Sequence, residues 1–388
     1  MKLATRYLMK EIYKYALAAL LVLLGLFTFF AMMDDLDRIG KNYTIINFLT
    51  IQLIQLPVRA YDLLPVALLI GSIIALAGLA QKNELIVFRL SGMSVWRFIL
   101  MLWLIAIPAM VFATFLSEQV TPWAEGKTSS LNLKYFGQAE GGKMRSGYWF
   151  REPAQDGLVR MINIGAIQEN NEMSHIHVIT YDEKAGVFVS LDRASKGVFK
   201  DGNIELEDVT EIQGIPESVF QKNEPLDQLT GSKISHLDRL SIKTSLSTER
   251  VLATEMKPER MSTIDLMDYI DYLQVNHLQS SRYVIALWRK VSYPFSLIVM
   301  ITIAAPVAFV HIRKGGVAAK IFIGILLGVA FFMVNQLALN VGMLSKMSPW
   351  IPAVLPNLLA LVVALMAVLY TEIKRTNASL WSLFKGAS

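Results

Sequence analysis

QKNELIVFRLSGMSVWR (Gln81–Arg97) lies between two long apolar runs, Leu63–Ala80 and Phe98–Ser117. It carries Lys82, Glu84, Arg89 and Arg97 and is too short to house a domain. An uncharged run of about 20 residues at 1.5 Å rise crosses the hydrocarbon of a bilayer, so a short charged break between two such runs reads as a surface connection. Working outward, six such runs occur: Tyr15–Met33, Leu63–Gln81, Phe98–Ser117, Val291–Val310, Ile321–Ser345 and Met347–Thr371. With 54% hydrophobic and 18% charged residues, the chain is too apolar for an ordinary soluble fold. Most of the remaining charge falls in Glu118–Lys290. The expected fold class is a polytopic α-helical membrane protein with six transmembrane helices and one large extramembrane antiparallel β domain, jellyroll-like.

Charge sets the orientation. With the N-terminus inside, the inner segments hold thirteen Lys and Arg, and the short outer loops hold only Arg38, Lys41, Arg59 and Lys346. Basic residues beside short loops mark the cytoplasmic side. Both termini and the 81–97 segment are therefore expected inside, and the β domain outside the cytoplasm. The net charge of +5 reflects this topology and carries no nucleic-acid signal. The chain has no cysteine, so no disulfide supports the outer domain. The first apolar run is too long for a signal-peptide core and lacks a small-residue cleavage site, so it is expected to be retained.

The chain divides into residues 1–117, 118–260 and 261–388. Lys2, Arg6, Lys10 and Lys14 recur every four residues along one side of a helix, as an interfacial helix or as positive-inside anchoring. Gly147–Phe150, Leu158–Ile167, His175–Tyr181, Gly186–Leu191 and Val198–Val209 read as strands. AspGly 156–157, GluLysAlaGly 183–186 and LysAspGlyAsn 200–203 supply turns, giving an antiparallel sandwich or roll. Ser262 and Asp265 form a capping box for a helical connector. Arg282, Arg289 and Lys290 fall at headgroup level, as anchors or facing a headgroup cavity. Arg38 and Lys41 stand at the outer end of the first span, either as a solvated helix end or against an anionic headgroup. Pro65, Gly71 and Pro108 interrupt the spans, and Gln336 and Asn340 are expected to bond between helices, with a direct substrate contact as the lesser alternative.

Gly137–Lys143 matches seven P-loop positions, but Met144 stands where the metal-binding Ser or Thr belongs. His175 and His177 lack a third metal ligand, and no HExxH or G-x-S-x-G occurs. Neither a catalytic nor a metal site is expected, and energy must come from a partner.

RYLMK (6–10), LAQKNELIVFRLSG (79–92), RYVIALWRKVSYPFS (282–296) and PWIPAVLPN (349–357), in this order of spans, resemble the lipopolysaccharide-export permease family LptF/LptG. The second is the most specific, and segment 288–290 with the Pro-rich start of span six leans to the LptG side. The resemblance implies a Gram-negative inner-membrane permease paired pseudo-symmetrically with an LptF-like partner. It implies a dimeric LptB-like cytoplasmic ATPase holding ATP and Mg, with no cofactor on this chain. It further implies an LptC-like single-span protein and a periplasmic jellyroll bridge that receives lipopolysaccharide. Residues 81–92 would be the coupling helix, with Glu84 as the ATPase contact, Lys82 and Arg89 beside it, and Ser91–Gly92 closing it. Arg38, Lys41, Lys127, Lys134 and Arg289 would meet the substrate. The sequence departs from the family in placing Asp37 beside Arg38 and uncharged residues at 129–132. The competing expectation is a membrane scaffold or mechanotransmitter with a periplasmic binding domain and no transport cavity; a membrane-embedded enzyme lacks the residues it needs.

Overall fold

A computed structural model describes residues 2–40, 43–82, 84, 93–136, 148–154, 157–167, 172–200, 202–213, 233–244, 256–276, 278–309, 316–345 and 347–385. The N-terminal half holds α1 (Lys2–Asp35), α2 (Ile45–Gln81), α3 (Val95–Phe115) and α4 (Thr121–Phe136). A single π turn, Leu116–Val120, joins α3 to α4. The C-terminal half holds α5 (Thr263–Val275), α6 (Ser281–Phe309), α7 (Gly316–Leu344) and α8 (Trp350–Lys385). Among the described residues, six helical stretches are long and apolar enough to cross a membrane, in the order the apolar runs predict.

The helices outrun those apolar cores. Helix α2 starts at Ile45 rather than near Leu63, and the Thr44 hydroxyl caps it by accepting from the Asn47 N–H. Phe48, Ile51 and Val58 are buried at helical spacing and carry the helix outward past the expected membrane edge. Arg59, expected in an outer loop, therefore sits on this helix and donates to Gln52 and Gln55.

Helix α2 is the axis of the bundle. Its most apolar window is 78% buried, against 6% for α1 and 11% for α7. Leu8 and Ile12 of α1 join Leu69, Ile73 and Leu76 of α2, Ile99, Leu102 and Ile105 of α3, and Leu297 and Ile301 of α6 in one core. At Pro108 the Tyr13 hydroxyl enters α3, donating to the Ile105 carbonyl at 2.7 Å and accepting from the Ala109 N–H at 3.0 Å. A proline disturbs the helix ladder, and here a neighbouring helix supplies hydrogen bonds at the disturbance.

The β domain is one antiparallel sheet in sequential order: β1 (Tyr148–Pro153), β2 (Leu158–Ile167), β3 (Glu172–Asp182), β4 (Val187–Lys200), β5 (Asn203–Gln213) and β6 (Lys233–Lys243). The three expected turns each place glycine in the left-handed region, with Gly157, Gly186 and Gly202 at φ of 77°, 68° and 76°. The sheet curls until its ends meet. Thr244 donates to Glu152 at 2.7 Å, and Arg160 reaches the Lys243 carbonyl at 3.1 Å. Leu266, Tyr269, Ile270, Tyr272 and Leu273 of α5 share a core with Phe150, Ile162, Ile176 and Leu206 of the strands. The connector helix is thus part of the interior of the β domain. Ser262 caps it by accepting from the Asp265 N–H at 3.1 Å, as its sequence predicts.

One carboxylate in the sheet sets a pH dependence. Asp192 on β4 is buried opposite Glu211 on β5, and its Oδ1 has no hydrogen-bond partner among the described residues. Burial, with help from the Glu211 charge, pushes its pKa up to about 6. The folded sheet therefore binds this proton more tightly than the unfolded chain does. Its stabilising effect is full below about pH 4 and is lost as the pH rises through about 6. Asp192→Asn is expected to remove this fall and to stabilise the sheet at pH 7.5 by about 1–3 kcal/mol. Hydrogen-exchange protection of β4 and β5 in the full chain at pH 5 and 7.5, corrected for intrinsic rates, measures it.

Candidate functional site

A cavity of about 340 Å³ opens where the β domain meets the helix bundle. Four elements of the bundle and one turn build it. Helix α2 gives Tyr61, Asp62, Pro65 and Val66; α6 gives Arg282, Ala286, Arg289, Lys290, Tyr293, Ser296 and Met300. Helix α7 contributes Gly328, Phe331, Phe332, Asn335 and Gln336, and α8 contributes Ala353 and Asn357. The 3₁₀ turn Pro258–Arg260, just before α5, adds Glu259 and Arg260, and Lys257 at its N-terminal cap completes the lining.

Helical periodicity explains the split in chemistry. Arg282, Ala286, Arg289, Tyr293, Ser296 and Met300 recur at three- and four-residue spacing along one face of α6. That face runs from charged through aromatic to apolar as it descends into the bundle. Five cations therefore meet two carboxylates among the lining residues, while Pro65, Val66, Met300, Phe331 and Phe332 form an apolar portion. The Tyr61 and Tyr293 rings stack with centroids 4.1 Å apart, and the Tyr293 hydroxyl donates to the Tyr61 carbonyl. Asn357 donates to Ser292 at 2.7 Å, fastening α8 to α6 behind the cavity.

The cations fall into two groups. Arg260 makes a two-pronged contact with Asp62, at 2.9 and 2.6 Å. Burial pulls the Arg260 pKa down, but the Asp62 contact outweighs it and holds the value above the ordinary one. Lys290 pairs with Glu118 at 3.1 Å and donates to the Met261 carbonyl. Lys257, Arg282 and Arg289 form no ion pair among the described residues.

The residues expected to bind substrate are only partly brought together. Arg289 lines the cavity, whereas Lys127 is exposed on α4 and is not among the lining residues. Arg38 ends the 3₁₀ turn Leu36–Arg38, and Lys134 lies on α4; the side chains of both fall outside the described residues, as does Lys41. Gln336 and Asn340 are exposed and make no interhelical bond among the described residues, and Gln336 faces the cavity instead. Sequence reasoning missed Asp62, Lys257 and Arg260. Their signal was weak, because each is an isolated charge near a membrane edge and only the fold joins them.

In the 81–97 segment, Lys82 is exposed at the end of α2, its N–H bonded to the Gly78 carbonyl at 3.1 Å. Glu84 accepts a hydrogen bond from the Tyr7 hydroxyl at 3.0 Å, which links the N-terminal part of α1 to this segment. Arg89, Ser91 and Gly92 lie outside the described residues, as does the P-loop-like stretch 137–143.

These features define a multi-pass membrane protein with a part-cationic, part-apolar cavity at the base of its β domain. The chain belongs to the lipopolysaccharide export system permease LptF/LptG family, whose pattern matches residues 6–370. It is 24% identical over 358 residues to the lipopolysaccharide export system permease protein LptG of Haemophilus influenzae, covering 92% of this chain and 95% of that one. It is 25% identical over 357 residues to the LptG protein of Escherichia coli K12, covering 91% and 94%. The chain is accordingly a multi-pass inner-membrane protein of the permease class.

Proposed function

We infer that this chain is an LptG-like permease subunit that takes lipopolysaccharide from the outer leaflet of the inner membrane and passes it toward a periplasmic bridge. The cavity carries the inference. Its cationic part suits the phosphates of a lipid headgroup, and its apolar part suits the start of acyl chains. At about 340 Å³ the cavity is at the small end for ligand pockets, so a lipid with several acyl chains needs a larger enclosure. The apolar sides of α1 and α7, which this chain leaves largely uncovered, suit an LptF-like permease that completes that enclosure. Both termini then lie in the cytoplasm and the β domain in the periplasm, beside an LptC-like single-span protein.

The work comes from an LptB-like ATPase dimer that holds ATP and Mg. Segment 81–97 receives its movement, with Glu84 contacting basic side chains of the ATPase and Lys82 and Arg89 flanking that contact. Helix α2 runs from this segment to Asp62 at the cavity, so motion delivered at one end reaches the other through a continuous helix.

A photocrosslinking residue placed at Phe332 tests the reading. Lipopolysaccharide is expected to be captured there in membranes, with a yield that changes when ATP is added to the assembled exporter. Capture of bulk phospholipid alone, insensitive to ATP, refutes it.

A further inference from the structure

We propose that Asp62–Arg260 and Glu118–Lys290 form a double latch that an anionic lipid headgroup opens, loosening the base of the β domain on the helix bundle. The proposal rests on the reading of the cavity as a lipopolysaccharide site.

Asp62–Arg260 joins the bundle to the root of α5 directly, whereas Glu118–Lys290 pairs two bundle residues that each hold that root through a further bond. Arg260 lies in the turn immediately before α5, the helix packed into the β-domain core, and Asp62 lies on α2. Glu118 lies in the π turn between α3 and α4. It accepts from the Thr263 N–H at 2.9 Å and from the Thr263 hydroxyl at 2.7 Å, at the start of α5. Lys290 draws Glu118 from the other side and also holds the Met261 carbonyl. The root of α5 is thus held by two carboxylates from the bundle and by one lysine that faces the cavity. A π turn is an irregular helical turn often found at functional positions, and here it aims Glu118 at the root of α5.

Two of the bonded groups, Arg260 and Lys290, are also cavity-lining cations. A headgroup phosphate drawn in by Arg282 and Arg289 arrives where it competes with Asp62 and Glu118 for them. The Lys290 side chain is only 7% exposed, so separating it from Glu118 without a replacement leaves a buried charge unpaired. The latch therefore stays shut in the empty cavity, and the ligand supplies the missing anion. A phosphate carries more charge than a carboxylate and offers more acceptor oxygens, which favours the exchange. Once exchanged, Glu118 keeps only its bonds to Thr263, and Arg260 no longer ties the turn to α2.

The chain has no cysteine, so Ser130→Cys on α4 and Lys196→Cys on β4, both at exposed positions, give a clean pair for spin labels. The full chain is purified with its accompanying subunits in nanodiscs, and the label distance is measured by double electron–electron resonance. Purified lipopolysaccharide is expected to move the distance distribution to a new maximum. Lipopolysaccharide stripped of its lipid A phosphates, and inorganic phosphate alone, are expected to leave it in place. Glu118→Gln is expected to populate the shifted distance without ligand. Glu118→Gln with Lys290→Gln retains a neutral pair and is expected to hold lipopolysaccharide with a reduced shift. Retention of lipopolysaccharide is measured separately by mass spectrometry of the washed complex. If the wild type retains it and the distance does not move, the latch is wrong and the cavity reading stands. If nothing is retained, both fall. A shift with inorganic phosphate alone overturns a latch operated by lipid.

Discussion

Arg282→Glu combined with Arg289→Glu is expected to weaken lipopolysaccharide capture in the cavity by roughly 100-fold or more. The two arginines face the cavity and form no ion pair among the described residues, so reversing them removes charge that the fold is not using. The lining changes from five cations and two carboxylates to three cations and four carboxylates, which turns a basic mouth acidic. A hydrogen bond to a charged partner contributes about 1.5–3 kcal/mol, and two lost contacts account for the stated factor before any repulsion is added. Arg→Lys at both positions keeps the charge but loses the planar two-pronged grip on phosphate, and should cost less, roughly 10-fold. Capture by a crosslinker at Phe332 measures all three proteins. Recovery of the reversed variant in the membrane at wild-type levels separates lost recognition from lost folding. Equal capture by reversed and wild-type proteins would remove the cationic mouth from recognition.

The parts of the architecture legible in the sequence are those written in local patterns. Six apolar runs gave six spanning helices in order, because a bilayer makes length and hydropathy nearly sufficient. The AspGly, LysAlaGly and AspGlyAsn turns were legible because each puts a glycine where φ is positive. Strand β6 was not found. Its sequence KISHLDRLSIK alternates Ile234, Leu240 and Ile242 with polar residues but breaks the alternation at His236 and Leu237, so its apolar face is discontinuous. Helix α5 was recognised as a capped amphipathic helix, whereas its place inside the β domain was not. One apolar stripe fits a sheet interior as well as a membrane surface, and only the partners in the fold decide between them.

The cavity was partly legible for the same reason. Arg282, Arg289 and Lys290 cluster in sequence and stood out at once. Asp62, Glu118 and Arg260 are separated along the chain, and they meet only after α2, the π turn and the root of α5 pack together. Composition and position alone gave the three clustered cations the same two alternatives, anchor or headgroup contact, and only the family resemblance singled out Arg289. The fold separates them, pairing Lys290 with Glu118 while Arg282 and Arg289 form no ion pair among the described residues.

Gly71→Leu is expected to destabilise the chain by about 3 kcal/mol or more, seen as a fall in thermal stability in detergent and in the amount recovered from membranes. A Cβ at Gly71 would stand 2.3 Å from the Ala16 nitrogen and 2.4 Å from its Cα, so the obstacle is the backbone of α1. A flexible side chain could swing aside, but a helix backbone cannot, and α1 must move bodily off α2. Within a bilayer the apolar solvent provides little force to hold helices together, so close packing at small residues carries the contact. Moving α1 also withdraws Leu8 and Ile12 from the bundle core, the Tyr13 hydroxyl from α3 beside Pro108, and Tyr7 from Glu84. The damage therefore spreads from one contact to Glu84 in the 81–97 segment. Adding Ala16→Gly removes only the third contact, at 2.7 Å to the Ala16 Cβ, and is not expected to restore the protein. Gly78→Ala on the same helix meets nothing within 4 Å and should be neutral or stabilising by up to about 1 kcal/mol. Intolerance at Gly78 equal to that at Gly71 would mean that helix α2 resists any added side chain, and the close approach of Ala16 would no longer be the reason.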